Sequence, residues 1–215
     1  MVIELSKENS LFSQFLAEIR DVTIQNDRLR FRRNLERIGE LFAYEISKKM
    51  TWKSVETTTP LGISRTYTLA QQPVLATILR AGLPLHQGLL NYFDQAENAF
   101  ISAYRKHHKD HSFEIKLEYF ASPDLNGKEV ILSDPMLASG HSILAAYQAI
   151  MQNGTPSHIH IVAIIGSEEG VKYARKNLPE NVTLWMGAID PELNAQSYIV
   201  PGLGDAGDLA FGEKR

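Results

Sequence analysis

Residues 129–147 constrain the fold of this chain more than any other stretch. An apolar run, EVILS, is followed by an acid, Asp134, by small residues as far as Ser142, and then by a helical pattern. This layout is typical of parallel α/β sheets, which bind phosphorylated ligands at the carboxyl ends of their strands through backbone N–H groups and the following helix dipole. A carboxylate would repel phosphate, so Asp134 is better suited to sugar hydroxyls or to a water of a metal ion. We predict that residues 134–142, called the Asp134 loop below, bind a sugar phosphate.

The rest of the chain alternates in the same way between apolar runs and helical patterns. Predicted strands cover 73–79, 99–104, 113–120, 129–133, 158–166 and 182–189, and predicted helices cover 26–50, 83–93, 142–151 and 168–176. Buried strands that alternate with helices form mostly parallel sheets. We therefore predict an α/β fold in which helices cover both faces of a mostly parallel sheet.

Residues 55–69 predict a hairpin that projects before the main sheet begins. The stretch is rich in threonine and contains the turn signal Pro60-Leu61-Gly62. A hairpin with few core positions is suited to packing against a second subunit, and a plain surface loop explains the pattern equally well. We expect one domain over 1–215, with N-terminal helices in 1–50, the hairpin, an α/β core at 73–190 and a shaped loop at 198–212.

The composition excludes several classes of protein. A net charge of −3 gives no general attraction to nucleic acid or anionic lipid, and the absence of cysteine excludes disulfides, thiolate nucleophiles and cysteine-based zinc sites. The N-terminus shows no signal-peptide pattern, and no apolar run reaches about 18 residues. We expect a cytoplasmic enzyme of ordinary size.

Two further strand ends carry arginine. Arg80 follows the predicted strand at 73–79 and precedes Ala81-Gly82, and Arg105 follows Tyr104 at the end of the strand at 99–104. A guanidinium beside small residues presents a fork that matches phosphate. Two such arginines together with the Asp134 loop indicate a ligand with two phosphate-bearing ends. The alternatives are that Arg80 caps a helix or pairs with an acid, and that Arg105 is a surface charge.

The run RKHHKDH offers a metal site as an alternative interpretation. It contains His107, His108 and His111. Adjacent histidines in a polar loop are more often solvated, and no carboxylate pattern completes a ligand set. We predict no metal site formed by the protein alone.

Residues 198–212, YIVPGLGDAGDLAFG, form a segment called the tail loop below. The segment is too rich in glycine and proline for a helix or a strand, and its composition is too specific for a frayed terminus. Glycines allow close backbone approach, so main-chain N–H and C=O groups are able to read a planar polar ligand such as a base.

Together these segments resemble the uracil phosphoribosyltransferase family of type I phosphoribosyltransferases. SDPMLASGHS is similar to its phosphoribosyl-diphosphate signature, ILRAG and YR to its diphosphate-contacting segments, and the tail loop to its uracil-reading loop. The resemblance extends from about residue 28 to the end of the chain and implies conversion of uracil and 5-phosphoribosyl 1-diphosphate to UMP and diphosphate. It also implies Mg²⁺ carried mainly by the diphosphate substrate, and a homodimer or higher oligomer.

The resemblance assigns a role to each matching position. Asp134 would hold the ribose hydroxyls, Arg80 and Arg105 would neutralise the leaving diphosphate, and Asp205 would approach the phosphoribosyl group. Catalytic roles would thus fall to Asp205, Arg105 and Arg80. Substrate contacts would come from Arg80, Arg105, Asp134, Pro135, Met136, Leu137, Ala138, Ser139, Gly140, His141, Ser142, Ile199, Gly204, Asp205 and Ala206, of which Met136 to Ser142 would wrap the 5′-phosphate and the last four would read uracil.

The chain departs from the family pattern at a few positions. His141 replaces the second glycine of the loop, Ser139 replaces a threonine, and Leu209 stands where a basic residue is usual. Serine keeps the hydroxyl. A histidine at a position that requires positive φ would cost about 1–3 kcal/mol, whereas an imidazole near the phosphate would add affinity at lower pH.

Other functions are compatible with the same fold. The main alternative is a nucleotide sensor or an RNA-binding regulator of pyrimidine genes without turnover, which should show a basic face that the net charge of −3 does not favour. Transfer to another base explains the tail loop less well. A generic nucleotide-binding domain explains the Asp134 loop but not the tail loop.

Overall fold

The computed structural model describes residues 1–107 and 113–214, with residues 103–107 and 113–117 described by their backbone alone. The strands in the described residues are β1 (Val2–Glu4), β2 (Trp52–Thr59), β3 (Gly62–Leu69), β4 (Val74–Leu79), β5 (Glu97–His107), β6 (Phe113–Ala121), β7 (Glu129–Ser133), β8 (Met136–Leu137), β9 (His158–Ser167), β10 (Val182–Asp190), β11 (Glu192–Leu193) and β12 (Ile199–Val200). The helices are α1 (Leu11–Arg20), α2 (Arg28–Ser47), α3 (Leu83–Tyr92), α4 (His141–Gln152), α5 (Glu168–Asn177) and α6 (Ala206–Phe211).

The central sheet has the strand order β1-β10-β9-β7-β4-β5-β6, and the short β8 also pairs with β9. All of these neighbours are parallel except β5 and β6, which are antiparallel. The predicted mostly parallel sheet is confirmed, and each strand predicted within it lies within one or a few residues of its expected bounds. The carboxyl ends of β4, β7, β9 and β10 consequently meet at one edge of the sheet.

Helices cover both faces of the sheet, as the apolar runs predict. One core cluster packs α1, α2, α3 and α6 on residues such as Leu75 and Ile131, and a second packs α4 and α5 on residues such as Val74 and Val130. The side chains of successive strand residues point to opposite faces of the sheet. Because helices cover both faces, the side chains on either face of such a strand are buried and the strand needs a continuous apolar run.

The predicted hairpin is confirmed and is longer than expected. β2 and β3 pair antiparallel from Trp52 opposite Leu69 to Thr59 opposite Gly62, as a two-stranded sheet separate from the central one. At its tip Leu61 is fully exposed and Ile63 is 72% exposed.

The prediction that the tail loop contains neither helix nor strand is wrong in part. Ile199–Val200 pair with β11, and Ala206–Phe211 form α6. The helix begins because the side chain of Asp205 accepts a hydrogen bond from Asp208 N at 3.0 Å, which caps a segment free of proline. The predicted helices in residues 1–50 are α1 and α2, whereas β1 was missed because three residues are too few to show a pattern.

Within the described part of the chain, none of the helices has the length and apolar character needed to cross a membrane.

Candidate active site

A cavity of about 680 Å³ opens where β4 and β7 end, and its volume lies in the range of about 300–1,000 Å³ usual for small-molecule sites. Its walls come from the segment around Arg80, from the Asp134 loop, and from the tail loop with the residues just before it. The lining residues are Ile78, Leu79, Arg80, Ala81, Asp134, Met136, Ala138, Ser142, Gln196, Ser197, Tyr198, Ile199, Gly204, Asp205, Ala206, Gly207 and Lys214. The structure thus brings together residues as far apart in sequence as Ile78 and Lys214.

The Asp134 loop is shaped by a contact within it and by its attachment to the neighbouring strand β9. The backbone N–H of Asp134 donates to Val162 O at 3.0 Å, which continues the sheet, and its carboxylate accepts from Met136 N at 3.2 Å. The loop then enters α4 through Gly140, whose φ of +81° lies in the left-handed region that favours glycine. The N–H groups in the first turn of a helix point out of its N-terminal end, and such groups are suited to an anion.

Helix α5 supports the Asp134 loop from behind. The side chain of Ser167 donates to Ala138 O at 2.6 Å and accepts from Gly170 N at 2.8 Å, so the residue that caps α5 also holds the loop. A Cβ on Gly140 would lie 3.0 Å from Gly170 O and from the ring of Tyr173.

His141 is not strained. Positive φ falls on Gly140, and His141 is the first residue of α4, where helical φ suits any side chain. Its ring stacks on Tyr173 with centroids 4.6 Å apart, and its Nδ1 lies 3.0 Å from Ser139 Oγ. The expected cost of replacing the family's glycine is therefore absent, and the imidazole instead joins the loop to α5.

Arg80 connects the end of β4 to the tail loop. Its Nη2 donates to Asp208 Oδ1 and to Gly212 O, both at 3.2 Å. Its Nε is buried and has no hydrogen-bond partner within the described residues. The alternative that Arg80 pairs with an acid is thus also realised, and the guanidinium still lines the cavity.

His86 lies on α3, just beyond the Arg80 segment. Burial lowers the pKa of His86 below its usual value, and the contact of Nε2 with Asn98 Oδ1 at 2.8 Å acts in the opposite direction. The residue is outside the lining of the cavity and belongs to the scaffold.

Several predicted site residues lie beside the cavity without lining it. These are Pro135, Leu137, Ser139, Gly140 and His141. Pro135 O accepts hydrogen bonds from two backbone N–H groups of β9, and the side chain of Leu137 is fully buried. Their contacts with substrate stay predictions.

Other predicted residues fall outside what the structure describes. Arg105 lies in β5 with its backbone alone described, and the same holds for His107. His108 and His111 lie outside the described residues. Among the residues that are described, no group of three or more His, Cys, Asp or Glu side chains is able to hold a metal ion.

Sequence reasoning missed part of the cavity wall and its supports. Gln196, Ser197 and Lys214 line the cavity, and Arg20 and Asp190 hold the tail loop. One signal was available: Asp190-Pro191 ends a buried strand in the same way as Asp134-Pro135 does.

Comparisons with known proteins agree with the resemblance seen in the motifs. The sequence profile of the uracil phosphoribosyltransferase family matches residues 6–213, which extends the resemblance towards the N-terminus. A uracil phosphoribosyltransferase from Porphyromonas gingivalis is 59% identical over 213 residues, 99% of each chain. One from Pyrococcus furiosus is 35% identical over 210 residues, covering 96% of this chain and 88% of that protein.

Solved structures show the same fold. A protein from Aquifex aeolicus superposes with a TM-score of 0.87 at 29% identity, covering 99% of this chain and 98% of that one. An adenine phosphoribosyltransferase from Trypanosoma brucei, in complex with AMP, pyrophosphate and ribose-5-phosphate, gives a TM-score of 0.55 at 15% identity, covering 87% of this chain and 83% of that one, and so supports the fold alone. With the family profile matched over nearly the whole length and its motifs lining one cavity, this chain belongs to the uracil phosphoribosyltransferase family.

Proposed function

We propose that this chain transfers the 5-phosphoribosyl group of 5-phosphoribosyl 1-diphosphate to uracil and releases UMP and diphosphate. The observation that carries the proposal is a single cavity lined by Arg80, by the Asp134 loop and by the tail loop. A phosphate loop, a strand-end arginine and a backbone-rich loop are the contacts that such a pair of substrates needs. Membership of the family supports the same reaction.

The 5′-phosphate would bind in the Asp134 loop between Met136 and Ser142. Backbone N–H groups at the start of α4 would donate to the phosphate oxygens, and the hydroxyls of Ser139 and Ser142 would add further donors. Because α5 and Gly140 already hold the loop in shape, little ordering would be required on binding.

Cleavage of the bond to diphosphate leaves positive charge on the ribose, so the reaction requires stabilisation of charge more than a nucleophile. Asp134 would accept hydrogen bonds from the ribose hydroxyls, and Asp205, which also lines the cavity, would support the developing cation. Arg80 and Arg105 would neutralise the leaving diphosphate. Arg80 lines the cavity and carries a permanent positive charge, which suits this task.

Uracil would be read by backbone groups of the tail loop. Ile199 and Gly204-Asp205-Ala206 line the cavity, and their N–H and C=O groups would match the alternating acceptors and donors of the pyrimidine edge. Holding the base against the ribose carbon would supply much of the rate enhancement.

Mg²⁺ fits the donors of the cavity. The carboxylates of Asp134 and Asp205 both line it, and Mg²⁺ is commonly held by one or two carboxylates together with substrate phosphates and water. The ion would be carried mainly by the diphosphate, and when bound it would neutralise charge on the leaving group.

We also propose that the chain assembles into a homodimer or a higher oligomer. Leu61 and Ile63 at the hairpin tip are exposed, which suits burial against a second copy in a homodimer or a higher oligomer. We also infer that residues 1–215 form one catalytic domain with uracil and 5-phosphoribosyl 1-diphosphate as its partners, located in the cytoplasm.

The test is formation of UMP from 5-phosphoribosyl 1-diphosphate and Mg²⁺ with uracil, cytosine, hypoxanthine or adenine supplied separately. We expect turnover with uracil and none of comparable rate with the other bases. Equal turnover with a second base would contradict the base assignment. Tight binding of 5-phosphoribosyl 1-diphosphate without turnover of any base would favour the sensor instead.

A further inference from the structure

Arg20 and Asp190 form a largely buried ion pair between helix α1 and strand β10. Arg20 is the last residue of α1 and Asp190 the last residue of β10, 170 positions apart. Nη1 of Arg20 donates to Oδ2 of Asp190 at 2.7 Å and Nη2 donates to Oδ1 at 2.8 Å, and the side chains are 22% and 8% exposed. Two parallel charge-assisted hydrogen bonds fix the relative orientation of both groups.

The same pair holds both backbone polar groups of Gly202. Oδ2 of Asp190 accepts from Gly202 N at 2.9 Å, and Nη1 of Arg20 donates to Gly202 O at 2.9 Å. The N–H and the C=O of one residue belong to successive peptide groups. The pair therefore fixes two neighbouring peptide planes in the middle of the tail loop.

Gly202 is the point where the tail loop turns back on itself. Its φ is +58°, and a Cβ there would lie 2.1 Å from Ile199 O, so the turn requires glycine. Ile199 precedes the turn and Gly204 follows it, and both line the cavity. Fixing Gly202 therefore fixes the direction of the backbone groups on either side.

Neither Arg20 nor Asp190 is among the described residues that line the cavity. We propose that they are positioning residues, which hold the tail loop in the conformation that reads the base and so set affinity and selectivity for the base without touching it. The inference rests on the proposed function, because it takes the tail loop as the base-reading segment.

Recognition of the base depends on the orientation of the backbone groups that contact it. Hydrogen bonds weaken steeply as donor and acceptor lose alignment, and backbone groups have no side-chain rotation with which to recover it. A site with oriented donors and acceptors also rejects a base that presents the wrong pattern. Loosening Gly202 should therefore raise the KM for uracil and reduce discrimination against cytosine, whose ring carries an amine in place of one carbonyl.

The experiment compares Arg20→Lys and Asp190→Asn with a matched control, Arg30→Lys. Arg30 also bonds a carboxylate through two nitrogens, Nε and Nη2, at 3.1 and 3.0 Å from Glu18, and it joins α2 to α1 with no hydrogen bond to the tail loop among the described residues. Lysine keeps the charge in each case but cannot supply the fork. The readouts are the separate KM values for uracil and for 5-phosphoribosyl 1-diphosphate, and the uracil-to-cytosine preference.

We expect each of the two variants to raise the KM for uracil about tenfold or more while the KM for 5-phosphoribosyl 1-diphosphate changes less than about twofold. The double variant should be no worse than the worse single one, because both remove one interaction. Arg30→Lys should leave both KM values near those of the parent. Equal rises in both KM values, or an unchanged KM for uracil, would overturn the inference.

Amide hydrogen exchange gives a readout that does not need turnover. Exchange in residues 198–212 should accelerate in Arg20→Lys and in Asp190→Asn, while exchange in residues 134–142 stays as in the parent. Uniform acceleration across the chain would indicate general destabilisation and would overturn the inference. A parent protein that makes no UMP would remove the proposed function, and the exchange pattern would still decide whether the ion pair holds the loop.

Discussion

The Asp134 loop and the tail loop line the same cavity but are held in place by different kinds of contact. The Asp134 loop joins β7 directly to α4, and Asp134 bonds Met136 two positions away. The tail loop is held by arginines that are distant in sequence and that donate hydrogen bonds to its backbone carbonyl groups. The pairs are Arg20 with Gly202, 182 positions apart, Arg32 with Ala210, 178 apart, and Arg80 with Gly212, 132 apart. The Asp134 loop is held by itself and by the next strand and helix along the chain, β9 and α5, whereas the tail loop is held mainly by arginines from the far end of the sequence and from β4.

An Asp-Pro pair at the end of a strand has different roles in the two regions. Asp134-Pro135 and Asp190-Pro191 each follow a buried parallel strand. Asp134 lines the cavity, whereas Asp190 pairs with Arg20 and holds Gly202. The difference lies in what surrounds each strand end. A strand-end acid lines the cavity where the cavity opens, and it stabilises the scaffold where a cationic side chain from another layer meets it.

The largest effect should come from Asp134→Asn. We expect kcat/KM for UMP formation to fall about 100-fold or more, because the ribose loses a charged acceptor and the developing cation loses a nearby carboxylate. Asparagine is able to keep the short contact with Met136 N, so the loop should retain its shape. Asp124→Asn, in an exposed turn where Asp124 bonds Asn126, is the control and should have parental kinetics. A mild loss in Asp134→Asn would show that the Asp134 loop is not the chemical centre.

A second test is Gly202→Ala in the tail loop. The added methyl would lie 2.1 Å from Ile199 O at a φ of +58°, which should lower the free energy of unfolding by about 1–3 kcal/mol. Displacement of the base-reading groups should raise the KM for uracil about 10- to 30-fold. Gly127→Ala, also at positive φ but in open space, controls for conformational strain alone. Similar kinetics in the two variants would mean that the tail loop tolerates displacement.

Asp208→Asn tests whether the two regions act independently. Asp208 bonds Arg80, so its loss should loosen Arg80 and the tail loop together. Both KM values should then rise by up to about fivefold, as expected for a partly exposed ion pair. Arg32→Lys loosens α6 at Ala210 without touching Arg80 and should change only the KM for uracil. A change confined to one substrate in Asp208→Asn would show that Arg80 does not couple the loops.

His141→Gly should have a smaller effect. The variant loses the stacking on Tyr173 and the contact with Ser139, so we expect the KM for 5-phosphoribosyl 1-diphosphate to rise about two- to threefold and the KM for uracil to stay unchanged. Tyr173→Leu removes the same stacking from the other side and should behave alike. A loss of tenfold or more in His141→Gly alone would indicate direct contact between the imidazole and the substrate.

Outside both loops, we expect His86 to affect the pH dependence of stability and not the binding of substrate. Burial lowers the pKa of His86 in the folded state, so the unfolded chain binds more protons below about pH 6.5. The contribution of neutral His86 to the free energy of unfolding is therefore complete above that pH, and it decreases as the pH falls. Calorimetry from about pH 7 to about pH 5 should show a falling Tm, with a shallower slope in His86→Gln and unchanged KM values at neutral pH. His158, whose pKa burial also lowers, should keep part of the slope in that variant.

The sequence predicted the sheet, the helices on its faces, the hairpin and the segments that meet at the cavity. Continuous apolar runs require burial on both faces, and strand ends followed by Asp134 or Arg80 are visible without any knowledge of the fold. The prediction was wrong for α6. It relied on the glycine and proline content of the tail loop and overlooked Asp205, which caps the helix. The strain considered for His141 was also absent, because the positive φ lies one residue earlier.

The sequence by itself determined what short-range pattern controls, namely the alternation of strand and helix, the strand–loop–helix order around Asp134, and the family that these motifs indicate. Tertiary structure alone decided which side chains support the site. The pairing of Arg20 with Asp190, the hold of that pair on Gly202 and the contact of Arg80 with Asp208 join residues that are 128 or more positions apart, except Asp190 and Gly202. A local pattern cannot specify such partners, because they become neighbours only after the sheet has brought its strand ends together.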